Sequence, residues 1–175
     1  MVIKDEDLMV RVADGDLGAF EEIVRRNQQR AWRIAFRFIG DQVEAEDIVQ
    51  EAFLKILASS HRYKPSASFS TYLYSVVSRL CIDHAKKKRP VLINEVPETE
   101  DPHSDPSVTM IQMERDAVVR KALDALPPRQ RMVIILKYYE DLSYMDIARA
   151  MRTTVKAVER LLSRARKTLQ TSLQI

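Results

Sequence analysis

The sequence predicts an all-α protein of two small helical domains joined by an acidic, proline-containing linker, the second domain a helix-turn-helix. Three observations predict it. Only three glycines occur in 175 residues, and Leu, Ile, Ala, Arg and Glu, all good helix formers, are abundant. Apolar residues recur at helical spacing, with no useful run that alternates at the two-residue period of a strand. Four of the seven prolines and no basic residue fall in "PVLINEVPETEDPHSDPS", Pro90 to Ser107. Such a composition buries too little apolar surface to fold alone, so it separates residues 1–89 from residues 108–175.

The N-terminal part reads as four helices. Asp5 to Ala13 is short and amphipathic. Leu17 to Ile39 carries Phe20, Ile23, Val24, Ala31, Ile34, Ala35 and Phe38 at an approximate helical period, and Gly40 and Asp41 stop it. Val43 to Ala58 follows, with Ala45, Ile48, Val49, Ala52, Phe53, Ile56 and Leu57 apolar. Ser59 to Ser68, "SSHRYKPSAS", is Ser-rich and contains Pro65, which predicts a loop. Phe69 to Lys88 is the fourth helix. Beyond the linker, a helix is expected from Val108 to Leu126. "LPPRQ" then restarts the chain, with Pro128 suited to a first helical turn, and a helix runs from Arg129 to Tyr139. Two more helices complete a four-helix unit.

Charge is unevenly distributed. Of 28 basic and 25 acidic residues, Arg79 to Arg89 holds five basic and one acidic, and Pro90 to Ser107 holds five acidic and no basic. Cys81, the sole cysteine, lies in an apolar helical run and reads as a core thiol, which fits a reducing compartment. The three histidines fall in separate segments without metal-ligand spacing, and no nucleophile–base constellation is visible, so neither a cofactor nor an enzyme is expected. The acidic N-terminus is unlike a signal peptide. No run approaches the roughly 18 apolar residues of a membrane span, so no membrane insertion and a cytoplasmic location are expected.

The strongest functional signal is "DLSYMDIARAMRTTVKAVERLLSRARKTL", Asp141 to Leu169. Ser143 and Asp146 form a capping-box pattern at the start of its first helix. In its second helix, at roughly 100° per residue, Val155, Val158, Leu161, Leu162, Ala165 and Leu169 share one face. Lys156, Arg160, Ser163 and Lys167 lie opposite, with Arg164 and Arg166 at the margins. From Met151 to Ile175 there are six basic residues and one acid, Glu159. A helix-turn-helix places such a second helix in the DNA major groove. A solvated basic face is the plainer alternative.

Two further segments carry chemistry. Around the loop with Arg62, Lys64, Ser66, Ser68, Ser70 and Thr71 cluster Tyr63, Phe69, Tyr72 and Tyr74. The helix that follows carries Arg79 and ends in Lys86, Lys87, Lys88 and Arg89. Aromatic faces stack on unpaired bases and cations hold the strand's backbone, although Phe69, Leu73, Val76, Val77 and Leu80 also read simply as core. "EAEDIVQEAFLKIL", Glu44 to Leu57, presents an acidic ridge beside apolar side chains, a surface that can dock a partner helix.

At these residues the chain resembles the extracytoplasmic-function class of bacterial sigma factors, over nearly its whole length. "DGDLGAFEEIVRRNQQRAWRIAFRFIGDQVEAEDIVQEAFLKIL" resembles the opening segment and polymerase-binding helix. "FSTYLYSVVSRLCIDHAKKKR" resembles the segment that melts and reads the minus-ten promoter element. "ALDALPPRQRMVIILKYYEDLSYMDIARAM" with the basic helix resembles the reader of the minus-thirty-five element. The resemblance implies core RNA polymerase and promoter DNA, double-stranded and melted, as partners, an anti-sigma factor as regulator, and a role in stress response.

Residue by residue, the resemblance assigns Asp47, Gln50, Glu51, Leu54 and Leu57 to polymerase. It assigns Arg62, Tyr63, Lys64, Phe69, Ser70, Thr71, Tyr72, Arg79, Lys86, Lys87 and Arg89 to the minus-ten element. For the minus-thirty-five element it assigns Glu159, Arg160, Ser163 and Arg164 near bases, and Lys156, Arg166 and Lys167 to phosphate. Tyr72 stands where Trp is usual, Arg79 where Asn is usual, Arg152 where the turn usually has Gly, and Glu159 where a basic or polar residue is common. Two other readings compete. One is a free-standing helix-turn-helix regulator with an N-terminal sensing or dimerisation domain; the other is a sequestered form acting through protein contacts. The linker suggests separable domains, which an inhibitor could hold closed with the polymerase-binding face hidden.

Overall fold

The computed structural model describes residues 3–88 and 106–173; residues 89–105, which hold Arg89 and nearly all of the linker, lie outside the described residues. The elements are α1 (Asp5–Ala13), α2 (Leu17–Ile39), α3 (Gln42–Ala58), a single 3-10 turn (Ser60–Arg62), α4 (Phe69–Lys87), α5 (Pro106–Asp124), α6 (Pro128–Tyr138), α7 (Tyr144–Ala150) and α8 (Val155–Ser172). No strand occurs among the described residues.

Local chemistry sets most of the boundaries. A helix begins with backbone N–H groups that lack partners, and a short polar side chain before it can accept from one of them. Asp16 accepts from the Ala19 amide, Asp41 from Glu44, Ser68 from Thr71, Ser143 from Asp146 and Thr154 from Ala157. α1 has no side-chain cap, but Asp5, Glu6 and Asp7 place negative charge in its first turn, where the helix dipole favours it. α2 stops at Gly40, whose φ of 82° is left-handed.

The structure moves several expected limits. α5 starts at Pro106, two residues before the expected Val108; proline suits a first helical position because its missing N–H has no helical partner there. α5 ends at Asp124 and α6 at Tyr138, and α3 begins at Gln42. The expected loop from Ser59 holds a 3-10 turn.

α1 to α4 form one bundle, and α6, α7 and α8 another with α5 against α8. The buried apolar residues of both form one cluster, running from Met9, Ile23 and Phe38 to Ile135, Ile147 and Leu162. The two bundles meet where α2 and α4 pack on α6 and α4 packs on α7. Arginine chemistry secures that junction. Arg120 donates to the carbonyls of Arg37 at 2.7 Å and Phe38 at 3.0 Å, and Arg131 donates to Phe38 at 2.8 Å. These are terminal carbonyls of α2 that no intrahelical amide can satisfy, at the end where a helix attracts cations. Gly40 makes room: a Cβ there would lie 2.7 Å from the Arg120 guanidinium carbon. Arg37 reaches back, 3.6 Å from Glu140 and 4.4 Å from the centre of the Tyr139 ring.

Candidate polymerase and nucleic-acid interfaces

α3 shows two faces. Ala45, Ile48, Val49, Ala52, Phe53 and Ile56 are buried. Asp47, Gln50 and Glu51 are exposed, and Leu54 is 65% exposed, whereas Leu57 is half-buried against the core. Helical spacing puts Val43, 66% exposed, on the same outer face. Sequence reading named Val43 only as a helix start, although its place on the wheel was available. The result is an acidic ridge carrying two bare aliphatic side chains, and no element of the second bundle covers it among the described residues. The second bundle packs on α2 and α4 instead.

In the segment from Arg62 to Lys88, Tyr72 is central. Its ring centre lies 5.4 Å from that of Tyr63, and Phe69 meets it edge-on at 6.3 Å. The Tyr72 hydroxyl hydrogen-bonds Ser59 Oγ at 2.9 Å, so one edge of the ring is pinned while the residue stays partly exposed. Phe69 is 1% and Thr71 9% exposed. In this fold Phe69 is a core residue whose ring meets Tyr72, and Thr71, buried at the pocket with Tyr72, bonds Ser68 at the helix start. Burial, with Glu6, Tyr72 and Asp5 nearby, pushes the Tyr63 phenol up to about 12; its buried hydroxyl stays neutral and has no hydrogen-bond partner among the described residues.

Arg62, Lys64, Lys86 and Lys87 are exposed, and so is Arg79, loosely opposed by Asp83 at 3.9 Å. Ser70 is half-buried and accepts from Arg30 Nη1 at 3.1 Å. Glu6 accepts from the Phe69 amide at 2.6 Å, tying α1 to the start of α4. At the other end of α4, Glu44 takes His84 Nε2 at 3.0 Å and the Lys88 ammonium. Glu6, Arg30 and Glu44 lie 40 to 63 residues from their partners, beyond the reach of helical periodicity.

The second bundle closes over this segment. Tyr63, Lys64, Ser66, Thr71, Tyr72 and Ser75 line a pocket of about 310 Å³, completed by Arg149 and Arg152 from α7 and the turn after it. Arg152 has a φ of 50°: the turn keeps the left-handed conformation that glycine adopts freely, with an arginine in it.

On α8, Val158, Leu162 and Ala165 are buried and Leu161 and Leu169 half-buried. Val155, expected in that face, is 39% exposed, because it is the first residue of the helix and projects past the core. Lys156, Glu159, Arg160, Ser163, Arg164, Arg166 and Lys167 are all exposed. Arg166 is also held in place, donating to the hydroxyls of Tyr138 at 2.8 Å and Tyr144 at 3.4 Å. The Ser143–Asp146 pair forms half of a capping box: Ser143 takes the Asp146 amide, while the Asp146 carboxylate accepts the Ser143 hydroxyl at 2.7 Å instead of a backbone N–H.

Among the described residues no three His, Cys, Asp or Glu side chains gather as a metal site, and no helix is long and apolar enough to cross a membrane. Cys81 is buried, and burial pushes its thiol well above the usual range.

Residues 23–91 match the model of Sigma-70 region 2, and residues 116–169 that of Sigma-70 region 4. The chain is 31% identical to the ECF RNA polymerase sigma factor SigW of Bacillus subtilis, covering 94% of each chain. It is also 31% identical to the RNA polymerase sigma-H factor of Pseudomonas aeruginosa, over 98% of this chain and 94% of that one. Among solved structures, CnrH in complex with the cytosolic domain of CnrY has a like fold, with a TM-score of 0.72 at 23% identity, covering 97% of this chain and 96% of that one. So has the sigma factor RpoE in complex with the anti-sigma factor NepR from Bartonella quintana, with a TM-score of 0.66 at 21% identity, covering 89% and 97%. The chain therefore belongs to the extracytoplasmic-function class of RNA polymerase sigma factors, which are transcription initiation factors.

Proposed function

We propose that residues 1–89 bind core RNA polymerase through the outer face of α3 and capture the melted minus-ten element through the Arg62–Lys88 segment. Residues 108–175 then read the minus-thirty-five element as duplex through α8, and residues 90–107 link the two. The observation that carries this reading is the separation of surfaces. An acidic face with bare aliphatic side chains on α3 suits a protein partner. The aromatic pair Tyr63 and Tyr72 lies among exposed cations, as a single-strand site requires. A wholly exposed basic face on α8 suits a duplex groove. Phosphate contacts would supply much of the affinity and base contacts the choice of promoter.

An anti-sigma factor is the further partner we propose; the like-folded CnrH and RpoE were each solved with a bound protein, which in the case of RpoE is an anti-sigma factor. The deciding experiment combines core polymerase and this protein on a promoter library. Initiation at a defined promoter class is expected, and its absence on every sequence overturns the reading. A palindromic site bound tightly without polymerase would favour a free-standing regulator instead.

A further inference from the structure

Four arginines of α2, Arg26, Arg30, Arg33 and Arg37, recur at spacings of four, three and four. At roughly 100° per residue they form one narrow stripe beside the buried face. The two ends of the stripe are neutralised. Arg26 is 3.1 Å from Asp5 and also pairs with Glu22, while Arg37 faces Glu140 at 3.6 Å and stacks on Tyr139. The middle is not. Arg30 donates only to the Ser70 hydroxyl, and neither Arg30 nor Arg33 has an ion pair among the described residues. Both lie close enough to Tyr74 to favour its ionised form against the effect of burial. Arg30 is half-buried and Arg33 exposed.

A half-buried guanidinium costs desolvation that a lone hydroxyl repays only in part. It keeps most of its five N–H donors for an anion, and phosphate oxygens match its fork. The stripe's open centre sits at Ser70 in the first turn of α4, on a different face of that helix from Tyr72, and its Arg26 end pairs with Asp5, a neighbour of Tyr63. We infer that Arg30 and Arg33 form a phosphate-binding site for the backbone of the unpaired strand whose bases reach Tyr63 and Tyr72. This rests on the minus-ten reading above and extends that site onto a helix outside the loop that carries it.

The test uses holoenzyme assembled from core polymerase and the full-length protein. The probe is a fork-junction DNA from a selected promoter, with a duplex upstream element and a single-stranded minus-ten segment. Arg30→Ala and Arg33→Ala should each lower fork-junction affinity several-fold at moderate salt. Each should also flatten the slope of log affinity against log salt by roughly 0.7, the share of one single-strand phosphate. Arg30→Lys and Arg33→Lys should keep the slope. Arg33 is exposed, so its variant folds even where Arg30→Ala does not. An unchanged slope overturns the inference. So does equal loss on an upstream duplex lacking the single strand, or a fall in affinity for core polymerase without DNA, which would make the stripe a protein contact. Tyr72→Ala serves as the control: if it leaves fork-junction binding intact, the minus-ten reading itself fails; if it weakens binding while both arginine variants do not, only the inference fails.

Discussion

The two basic surfaces proposed to meet DNA are built in opposite ways. α8 is a one-sided helix: its buried face holds the second bundle together, and every proposed DNA residue is exposed, on the other face or, for Arg164 and Arg166, at its margins. The Arg62–Lys88 segment has no such division. Phe69 and Thr71 are buried, Tyr63 and Tyr72 are partly buried, and side chains from α1 and α2 brace the start of α4. The contrast follows from the targets. A major groove accepts a preformed helix, so the reader needs only an exposed charged face. An unpaired base must be stacked on an aromatic face, and a ring holds one orientation only when packing fixes it.

The largest expected effect tests that contrast. Phe69→Ala should cost about 3–5 kcal/mol of stability, as for other buried aromatics, and thermal unfolding will measure it. The comparable cut in the other reader, Leu162→Ala, should cost about 2–5 kcal/mol. By contrast, Arg160→Ala on the exposed face should leave the unfolding midpoint unchanged and weaken only duplex binding. If Phe69→Ala lost fork-junction affinity with no change in midpoint, Phe69 would be a contact rather than a support, and the contrast would fail.

Next in size is the junction that brings the readers together. Arg120→Ala removes hydrogen bonds from a cation to helix-terminal carbonyls, each of a kind worth about 1.5–3 kcal/mol. Gly40→Ala should act in the same direction, since its φ of 82° disfavours a side chain and its Cβ would collide with Arg120. Both should open the pair of bundles, seen as a larger radius of gyration by small-angle scattering. The pocket that Arg149 and Arg152 complete would then be uncovered. An unchanged radius would mean that the apolar contacts of α4 with α6 and α7 suffice.

The same contrast explains what could be read from the chain. The helices were legible because apolar spacing marks the inner faces and because Ser143 stands where a cap belongs; Asp16, Asp41, Ser68 and Thr154 cap their helices as well, a signal that the helical period alone does not use. The face of α8 was legible too, since charge and burial alternate with one period; Val155 departed only because it sits at the helix end. The braces of the other reader were not. Glu6 at the Phe69 amide and Arg30 at Ser70 join residues 63 and 40 positions apart, and local periodicity carries no information at that range. Phe69 was read both as core and as contact, because an aromatic residue in an amphipathic helix fits either until packing decides.

Smaller effects distinguish the readers by salt and by base. Lys156→Ala and Lys167→Ala should each reduce the salt slope on duplex DNA by roughly 0.9, the duplex value per phosphate. Arg30→Ala should leave that duplex slope alone. Glu159 cannot hold phosphate but can accept from a cytosine amino group, so Glu159→Gln should relax base preference at one position by about 1–3 kcal/mol. A selection from random duplexes that returned the same consensus would remove Glu159 from the base-reading set.

The smallest expected effect concerns the far end of α4, where Glu44 binds His84 and Lys88. Burial raises the Glu44 pKa, but hydrogen bonds from Lys88 and His84 outweigh it and leave the carboxyl below its ordinary 4.5. A lowered carboxylate pKa stabilises the fold above the unfolded value and loses that contribution as pH falls through the folded one. The anchor should therefore be intact at pH 6 and fade below about 4.5. Glu44→Gln should lower the unfolding midpoint slightly at pH 6 and narrow its difference from wild type towards pH 3. The anchor ties the basic end of α4 to α3, so the variant should also loosen Lys86 and Lys87, weakening fork-junction binding more than duplex binding by α8. Equal weakening at both readers would show that Glu44 acts on global stability and does not position the basic end of α4.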